Sequence, residues 1–540
     1  MPLSHAETVP ALLREQASLG EHAAVIDHGV RISYAGLYER VRDVGRAFIA
    51  AGVGHGDRVA VWLPNRHEFI LAMLGAQAIG AAVVPLNTRY TGHEAAYILS
   101  RSRARVIVLD DAFLAKGFVQ MLRRGGQSLV GGDGVPSPAD GQPAPGLPAL
   151  RLAVSLDGSH GPGTASWGEF LARGRAVGDD ALEARMEAVT RDDMIDMLFT
   201  SGTTGAPKGV IALHRQSLSI ARSWSEGAEL TRDDVYGIVN PMFHGFGYKA
   251  GLLSSLIAGC TIIPISVFEP EALMQLVEAE RISVLPGVPT IFTTLLDHPR
   301  RRDYDLSSLR FAVAGATTAP PTLFHDMVDV LGFDRVAQAY GLTECLVATF
   351  SRHGESLDHA SQTTGPAVPG LEIRVVDEHG RDTPTDQPGE ILLRGDIVFT
   401  GYFEDAAATA AAFDGEGWFH TGDVGSLDEH GCLKITDRIK DMFIVGGFNV
   451  YPAEVEHVLR GHPAVNESAV LGIPDDRLGT VGRAYVKLLT DAQKPSAQEL
   501  AEFCRERLAN FKVPREFVFV DDFPRNATGK ILKRELRDES

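Results

Sequence analysis

The sequence predicts an α/β protein: a large N-terminal part of doubly wound α/β subdomains, a small β-barrel region after it, and a compact α+β tail. Three observations carry this. The chain has 540 residues, too many for one hydrophobic core. From residue 23 to residue 109, short apolar runs of strand length alternate with amphipathic runs of helix length. That alternation is the pattern of an open, mostly parallel sheet covered on both faces. Beyond Gly365, helical periodicity gives way to short strands and glycine turns.

Thr8 to Ser18 has the spacing of a short amphipathic helix, and Ala23–Ile26 with Val30–Ser33 reads as a hairpin turning at His28-Gly29. Tyr34 to Ala51 is a helix ending on Gly52. Val59–Leu63 is a buried strand, Glu68–Ile79 a helix, Ala82–Leu86 a strand, Glu94–Ser100 a helix and Val106–Leu109 a strand. Ten of the eighteen residues from Gly131 to Pro148 are Gly or Pro, which predicts a disordered surface insertion over about 125–165. The pattern resumes with strands at Met194–Phe199 and Val210–Leu213. It continues as a strand at Leu309–Ala314, a helix at Pro320–Leu331 closed by Gly332, and a strand at Val336–Tyr340.

The formal charge of −19 argues against nucleic acid or an anionic membrane as partner. It is unevenly spread. Residues 441–540 hold 14 basic against 16 acidic side chains, a net of −2, so the first 440 carry −17. The tail is therefore the better host for phosphates. Four cysteines far apart form neither a disulfide framework nor a zinc motif, and the N-terminus lacks a basic region followed by an apolar run. Both point to the cytoplasm. Leu71–Leu86, the most apolar segment, is interrupted by Gln77 and two glycines and is too short for a membrane span.

Four stretches carry chemistry. Thr200 to Gly209, TSGTTGAPKG, lies between two strands and combines Thr200, Ser201, Thr203 and Thr204 with Gly202, Gly205 and Lys208. Backbone N–H groups, hydroxyls and one ammonium suit the oxygens of a phosphate chain. The spacing is not the common Gly-x4-Gly-Lys-Ser/Thr loop, and taken alone such a stretch also reads as a surface loop. Tyr340-Gly341-Leu342-Thr343-Glu344 follows an expected parallel strand, where crevices form. It offers a flat ring, a hydroxyl and a hard carboxylate. Gly315-Ala316-Thr317 places small residues beside it, and Trp418–Asp423 ends in a carboxylate suited to a ribose or simply to its own turn. Pro524–Leu536 is a turn entering a basic helix with Lys530 after Gly529.

In this order and at these distances, from about Glu68 to Lys530, the motifs resemble the adenylate-forming superfamily of acyl-CoA synthetases, luciferases and peptide-synthetase adenylation domains. The resemblance implies ATP and Mg²⁺ activating a carboxylic acid as an acyl-adenylate, then transfer to the thiol of coenzyme A. It implies that Thr200–Lys208 hold the β- and γ-phosphates, Glu344 the metal and Thr343 the α-phosphate. Tyr340, Gly341 and Gly315-Ala316-Thr317 would border adenine, and Asp423 and Arg438 would hold the ribose. Lys530 would be the adenylation lysine. Lys440 would be the hinge, dividing a large domain (1–437) through residues 438–440 from a small mobile domain (441–540). Gly446-Gly447 would line the thiol path.

His244, in PMFHGFGYKAG, reads either as a satisfied core histidine or, by the resemblance, as a gate to the acyl pocket. Phe243, Phe246, Gly247, Gly315 and Gly341 would be its neighbours in that pocket. HGFGYKAG resembles bacterial ligases of ring-bearing steroid-degradation acids, which implies a bulky polycyclic, terpenoid or fatty carboxylate. Thr480 in PDDRLGTVG departs from the family, which often has Glu there. Loading of a carrier protein in trans, a half-enzyme, a non-catalytic adenylate binder and an oxidative outcome stay open at this point, as does a homodimer.

Overall fold

A computed structural model describes residues 2–130, 144–158, 160–201, 207–315, 321–377, 379–438, 443–450, 452–489, 493–524, 531, 533 and 536. The first of its sheets has eight strands. In spatial order they are Gly401–Tyr402, Pro207–Leu213, Met194–Ser201, Ala82–Pro85, Arg58–Trp62, Val106–Leu109, Leu152–Ser155 and Thr164–Ser166. Six are parallel, and Pro207–Leu213 with Gly401–Tyr402 adds an antiparallel edge. The central strands AVVP and VIVL are buried at every residue, as parallel strands covered on both faces must be.

Helix His67–Ala78 buries ten residues and is apolar nearly all round, so it is an interior helix, not a surface one. It crosses Tyr34–Ala50 at Gly75, where a Cβ would lie 2.4 Å from Val44 Cγ1. Only glycine allows that approach.

A second sheet runs Val235–Ile238, Thr261–Pro264, Ala23–Asp27, Val30–Ser33, with the expected N-terminal hairpin as its edge. Bridges through Val284 carry it on to the parallel pair Phe311–Val313 and Arg335–Ala337. The antiparallel region expected after Gly365 is a four-stranded meander of Leu371–Val376, Gly389–Gly395, Phe419–Leu427 and Leu433–Arg438. From Phe443 onward a hairpin, three further strands and helices Pro452–Arg460 and Ala497–Arg505 enclose a separate core of Val455, Leu459, Val470, Val486, Leu500 and Cys504. No helix among the described residues is long and apolar enough to cross a membrane.

Two expectations need correction. The disordered insertion over about 125–165 is too wide. Helix Phe118–Val130 runs through 125–130, and Leu152–Ser155 and Thr164–Ser166 are the last strands of the large sheet; residues 131–143 lie outside the described set. Gly125 and Gly126 within that helix serve packing: a Cβ on Gly125 would sit 1.9 Å from the Gly92 carbonyl oxygen. The strand expected at Val336–Tyr340 is likewise two. The parallel strand stops at Ala337, and Ala339–Leu342 turns back to pair antiparallel with Cys345–Phe350.

Candidate active site

The phosphate-type loop springs from a hairpin, Thr200 pairing with Lys208 and Ser201 with Pro207. Gly202, Thr203, Thr204, Gly205 and Ala206 lie outside the described residues. Lys208 is thus held at the mouth of a rigid ladder. Its Nζ lies 5.0 Å from the centre of the Tyr402 ring. The Tyr402 hydroxyl donates to Glu344 Oε1 at 2.8 Å, and the Phe399 N–H donates to the Glu344 carbonyl at 2.7 Å. One tyrosine therefore joins the expected phosphate lysine to the expected metal carboxylate. Sequence reasoning missed Tyr402, because its two-residue strand carries no periodic signal.

Glu344 and Thr343 sit in the turn between Ala339–Leu342 and Cys345–Phe350. Gly341 makes that turn possible, since a Cβ there would fall 1.6 Å from the Leu346 carbonyl oxygen. That is a packing role. The Tyr340 hydroxyl donates to Asp423 Oδ2 at 2.6 Å, and Asp423 is 4% exposed. Asp423 in turn pairs across the meander with Arg438. The motifs expected around adenine and ribose are thereby brought together, with one Asp423 oxygen held by Tyr340.

His244 is exposed to solvent with protein atoms crowded around its ring, and its exposed side is the candidate acyl cleft. The same crowding lowers its pKa through desolvation and favours the neutral ring. Its Nδ1 accepts from the Phe246 N–H at 3.2 Å. Phe246 packs edge-on against Trp224 with ring centres 5.6 Å apart, and a Cβ on Gly315 would lie 3.5 Å from the Phe246 ring. Phe243 is half-buried against the main core. Gly247 does not open the cleft: a Cβ would meet the Asn240 and Pro241 carbonyl oxygens at 2.3 and 2.4 Å. Leu346, also missed from sequence, ties this segment to the Tyr340 hairpin, lying 2.4 Å from where a Gly245 Cβ would be.

Behind the cleft, Lys249 Nζ pairs with Asp196 Oδ2 at 3.2 Å, the two side chains 2% and 1% exposed. Ser217 Oγ donates to the same oxygen at 3.2 Å. Burial raises the Asp196 pKa, opposed by the ammonium. Lys249 stands on the π-helix Phe246–Leu253 and Asp196 on the strand that enters the phosphate-type loop. The pair locks the two together.

Gly446 and Gly447 form a tight turn with φ of +53° and +84°, a conformation costly for any other residue. A Cβ on Gly447 would lie 3.7 Å from Val288. The preceding Gly287 carbonyl accepts from the Gly315 N–H at 3.1 Å. The glycine turn of the small domain therefore abuts the backbone that borders Phe246. Ala316, Thr317, Lys440 and Lys530 lie outside the described residues, and Arg438 is described by its backbone alone. A groove beside Lys208, lined by Tyr97, Arg101, Phe199 and Phe403, measures 160 Å³. That is too small for a drug-sized ligand, which needs roughly 300 Å³ or more.

Residues 13–403 match the family described as AMP-binding enzyme, and residues 454–530 match the AMP-binding enzyme C-terminal domain. Two proteins named 3-[(3aS,4S,7aS)-7a-methyl-1,5-dioxo-octahydro-1H-inden-4-yl]propanoyl:CoA ligase, from Rhodococcus jostii and Mycobacterium tuberculosis, are each 46% identical, over 98% of this chain and 98% of theirs. Among solved structures, a double mutant of o-succinylbenzoate CoA synthetase from Bacillus subtilis, bound with its product analogue OSB-NCoA, is 28% identical with a TM-score of 0.79, covering 98% of each chain. ATP-bound MatB from Rhodopseudomonas palustris is 29% identical with a TM-score of 0.65, covering 99% of this chain and 98% of its own.

Proposed function

The chain belongs to the AMP-binding enzyme family and is an ATP-dependent, AMP-forming acyl-CoA ligase, and from that premise we propose that its acid is a rigid, fused-ring propanoate of steroid origin. The observation that carries the proposal is the 46% identity, end to end, with two ligases whose named acyl group is a propanoyl chain on a methylated bicyclic dione. The cleft supports it. Neutral His244, Phe243 and Phe246 offer apolar walls, and the absent side chain of Gly315 leaves width beside Phe246.

The reaction needs positioning and charge stabilisation more than covalent help from the protein. The acid carboxylate attacks the α-phosphorus of ATP and pyrophosphate leaves; the CoA thiol then attacks the acyl carbon and AMP leaves. We assign Thr200, Ser201, the loop 202–206 and Lys208 to the β- and γ-phosphates. Thr343 and Lys530 are assigned to the α-phosphate, and Asp423 and Arg438 to the ribose. Tyr340, through its hydroxyl, orients the Asp423 carboxylate. Magnesium fits Glu344: one carboxylate of a hard donor, oriented by Tyr402, is what Mg²⁺ takes when phosphate oxygens complete its shell. When bound, the ion screens phosphate charge. The buried free cysteines and the need for ATP and CoA support a cytoplasmic location.

The hinge is assigned to 438–440. The fold as a whole is more similar to the structure bound with a CoA product analogue, TM-score 0.79, than to ATP-bound MatB, TM-score 0.65, at nearly equal identity and coverage. With Gly446-Gly447 against Val288, this supports reading the present arrangement as the one for thiol transfer.

The substrate proposal is tested at Gly315. A Cβ there makes only ordinary contacts, at 3.4 Å to Val313 and 3.5 Å to Phe246, so Gly315→Leu adds bulk beside Phe246 without a backbone clash at the Cβ. Its kcat/KM for a fused bicyclic propanoate is expected to fall about tenfold or more, a usual penalty for one added bulky group. A linear acid of similar carbon count should change little. Equal changes for both acids, in an acid-dependent pyrophosphate assay, would move the acyl site elsewhere.

A further inference from the structure

The segment Arg89–Glu94 of the large domain carries a second, buried contact with the small domain. Lys512 Nζ bonds to Glu94 Oε1 at 2.8 Å and to Glu454 Oε1 at 2.8 Å. The three residues are 6%, 8% and 5% exposed. Glu94 belongs to the large domain; Glu454 and Lys512 belong to the small one, Glu454 in the first turn of the helix that follows the Gly446–Gly447 hairpin. The Tyr90 ring centre lies 4.8 Å from Lys512 Nζ, and the Arg89 guanidinium 4.3 Å over the Phe448 ring, next to Gly447. Thr91 Oγ1 reaches the Arg507 carbonyl at 3.1 Å.

The charges do not cancel. Two carboxylates share one ammonium, Glu454 Oε2 has no hydrogen-bond partner among the described residues, and burial with the nearby Glu94 charge pushes the Glu454 pKa up. Such a cluster adds little net stability, since burying ions costs about what their attraction returns. What it does supply is geometry. It is satisfied in one relative placement of the domains only, and on separation water rehydrates each ion, so the contact is reversible where a greasy seal would not be.

We infer that Lys512 is a positioning residue for thiol transfer, clamping Glu94 across the domain boundary so that the Gly446–Gly447 turn stays against Val288. This rests on the two-step ligase reading above. It assigns no contact with substrate to Lys512, Glu94 or Glu454.

Glu94→Gln isolates the cross-domain bond. Glu94 Oε2 accepts from the Thr91 N–H at 2.8 Å in a capping box, and glutamine serves that box as well as glutamate. The amide nitrogen would then face the Lys512 ammonium, donor against donor. The variant is compared with the parent in two ways. One is thioester formation from supplied acyl-adenylate and CoA, beside acid-dependent pyrophosphate release. The other is the distance between spin labels on Glu429→Cys and Glu506→Cys, at positions whose native side chains are 82% and 72% exposed; the native cysteines are buried. Thioester formation should slow by about tenfold or more while pyrophosphate release stays within about twofold, and the label distances should broaden. Lys512→Met should give the same split. Unchanged label distances, or equal slowing of both half-reactions, overturns the clamp. Broadened distances in a protein whose parent makes no thioester would keep the clamp and overturn the ligase reading.

Discussion

Lys530→Ala is expected to abolish acyl-adenylate formation while leaving conversion of a supplied acyl-adenylate to thioester nearly intact. The reasoning is geometric. Lys530 lies near the end of the small domain and Gly446-Gly447 at its start, and the glycine turn faces the large domain here, 3.7 Å from Val288 through an added Cβ. We propose that the two ends attend the reacting carbonyl in turn, the domain rotating between steps. Loss of a cation at the α-phosphate removes stabilisation only from the first step, on the order of a hundred-fold or more. Gly447→Leu should show the reverse, because at φ +84° a leucine is strained and projects onto Val288. Acid-plus-ATP and acyl-adenylate-plus-CoA assays, run side by side, read both variants. Equal loss of both activities in folded Lys530→Ala would end the division of labour.

Glu344→Gln is expected to lower the rate of pyrophosphate release by about a hundred-fold and to weaken its dependence on magnesium. The change keeps the Tyr402 hydrogen bond to the side-chain oxygen, at 2.8 Å in the parent, and so removes charge with little loss of shape. Lys208→Ala should slow the same step, without altering the magnesium titration midpoint as strongly, since its Nζ sits over Tyr402 rather than at Glu344. A wild-type magnesium titration for Glu344→Gln would take the metal away from this residue.

The elements that sequence made legible are those with local signals. Runs such as VIVL announce a doubly covered strand, and Thr91 with Glu94 forms a capping box that starts a helix. TSGTTGAPKG, Tyr340–Glu344 and Asp423 stand out in sequence as candidate chemistry, and Tyr340 and Asp423 are bonded partners across 83 residues. What escaped was pairing at long range. Tyr402 meets Glu344 over 58 residues and Lys512 meets Glu94 over 418, and no periodicity encodes such meetings. Glycine is ambiguous in sequence. Gly125, Gly247 and Gly341 each accommodate a backbone carbonyl within 2.3 Å of an absent Cβ, a need that looks in sequence like a loop or an open pocket.

The central claim, that this chain joins an acid to CoA through an acyl-adenylate, is tested most directly by the fate of a carboxylate oxygen. The bicyclic propanoate, labelled with ¹⁸O in both carboxylate oxygens, is given to the enzyme with ATP, magnesium and CoA, and the products are weighed by mass spectrometry. Attack of the carboxylate on the α-phosphorus makes one labelled oxygen the bridge of the adenylate, and thiol attack at the acyl carbon leaves that oxygen on phosphorus. The account predicts AMP carrying one ¹⁸O, a thioester retaining the other, and unlabelled pyrophosphate. Label in inorganic phosphate with ADP formed, or thioester formed beside unlabelled AMP, would contradict it.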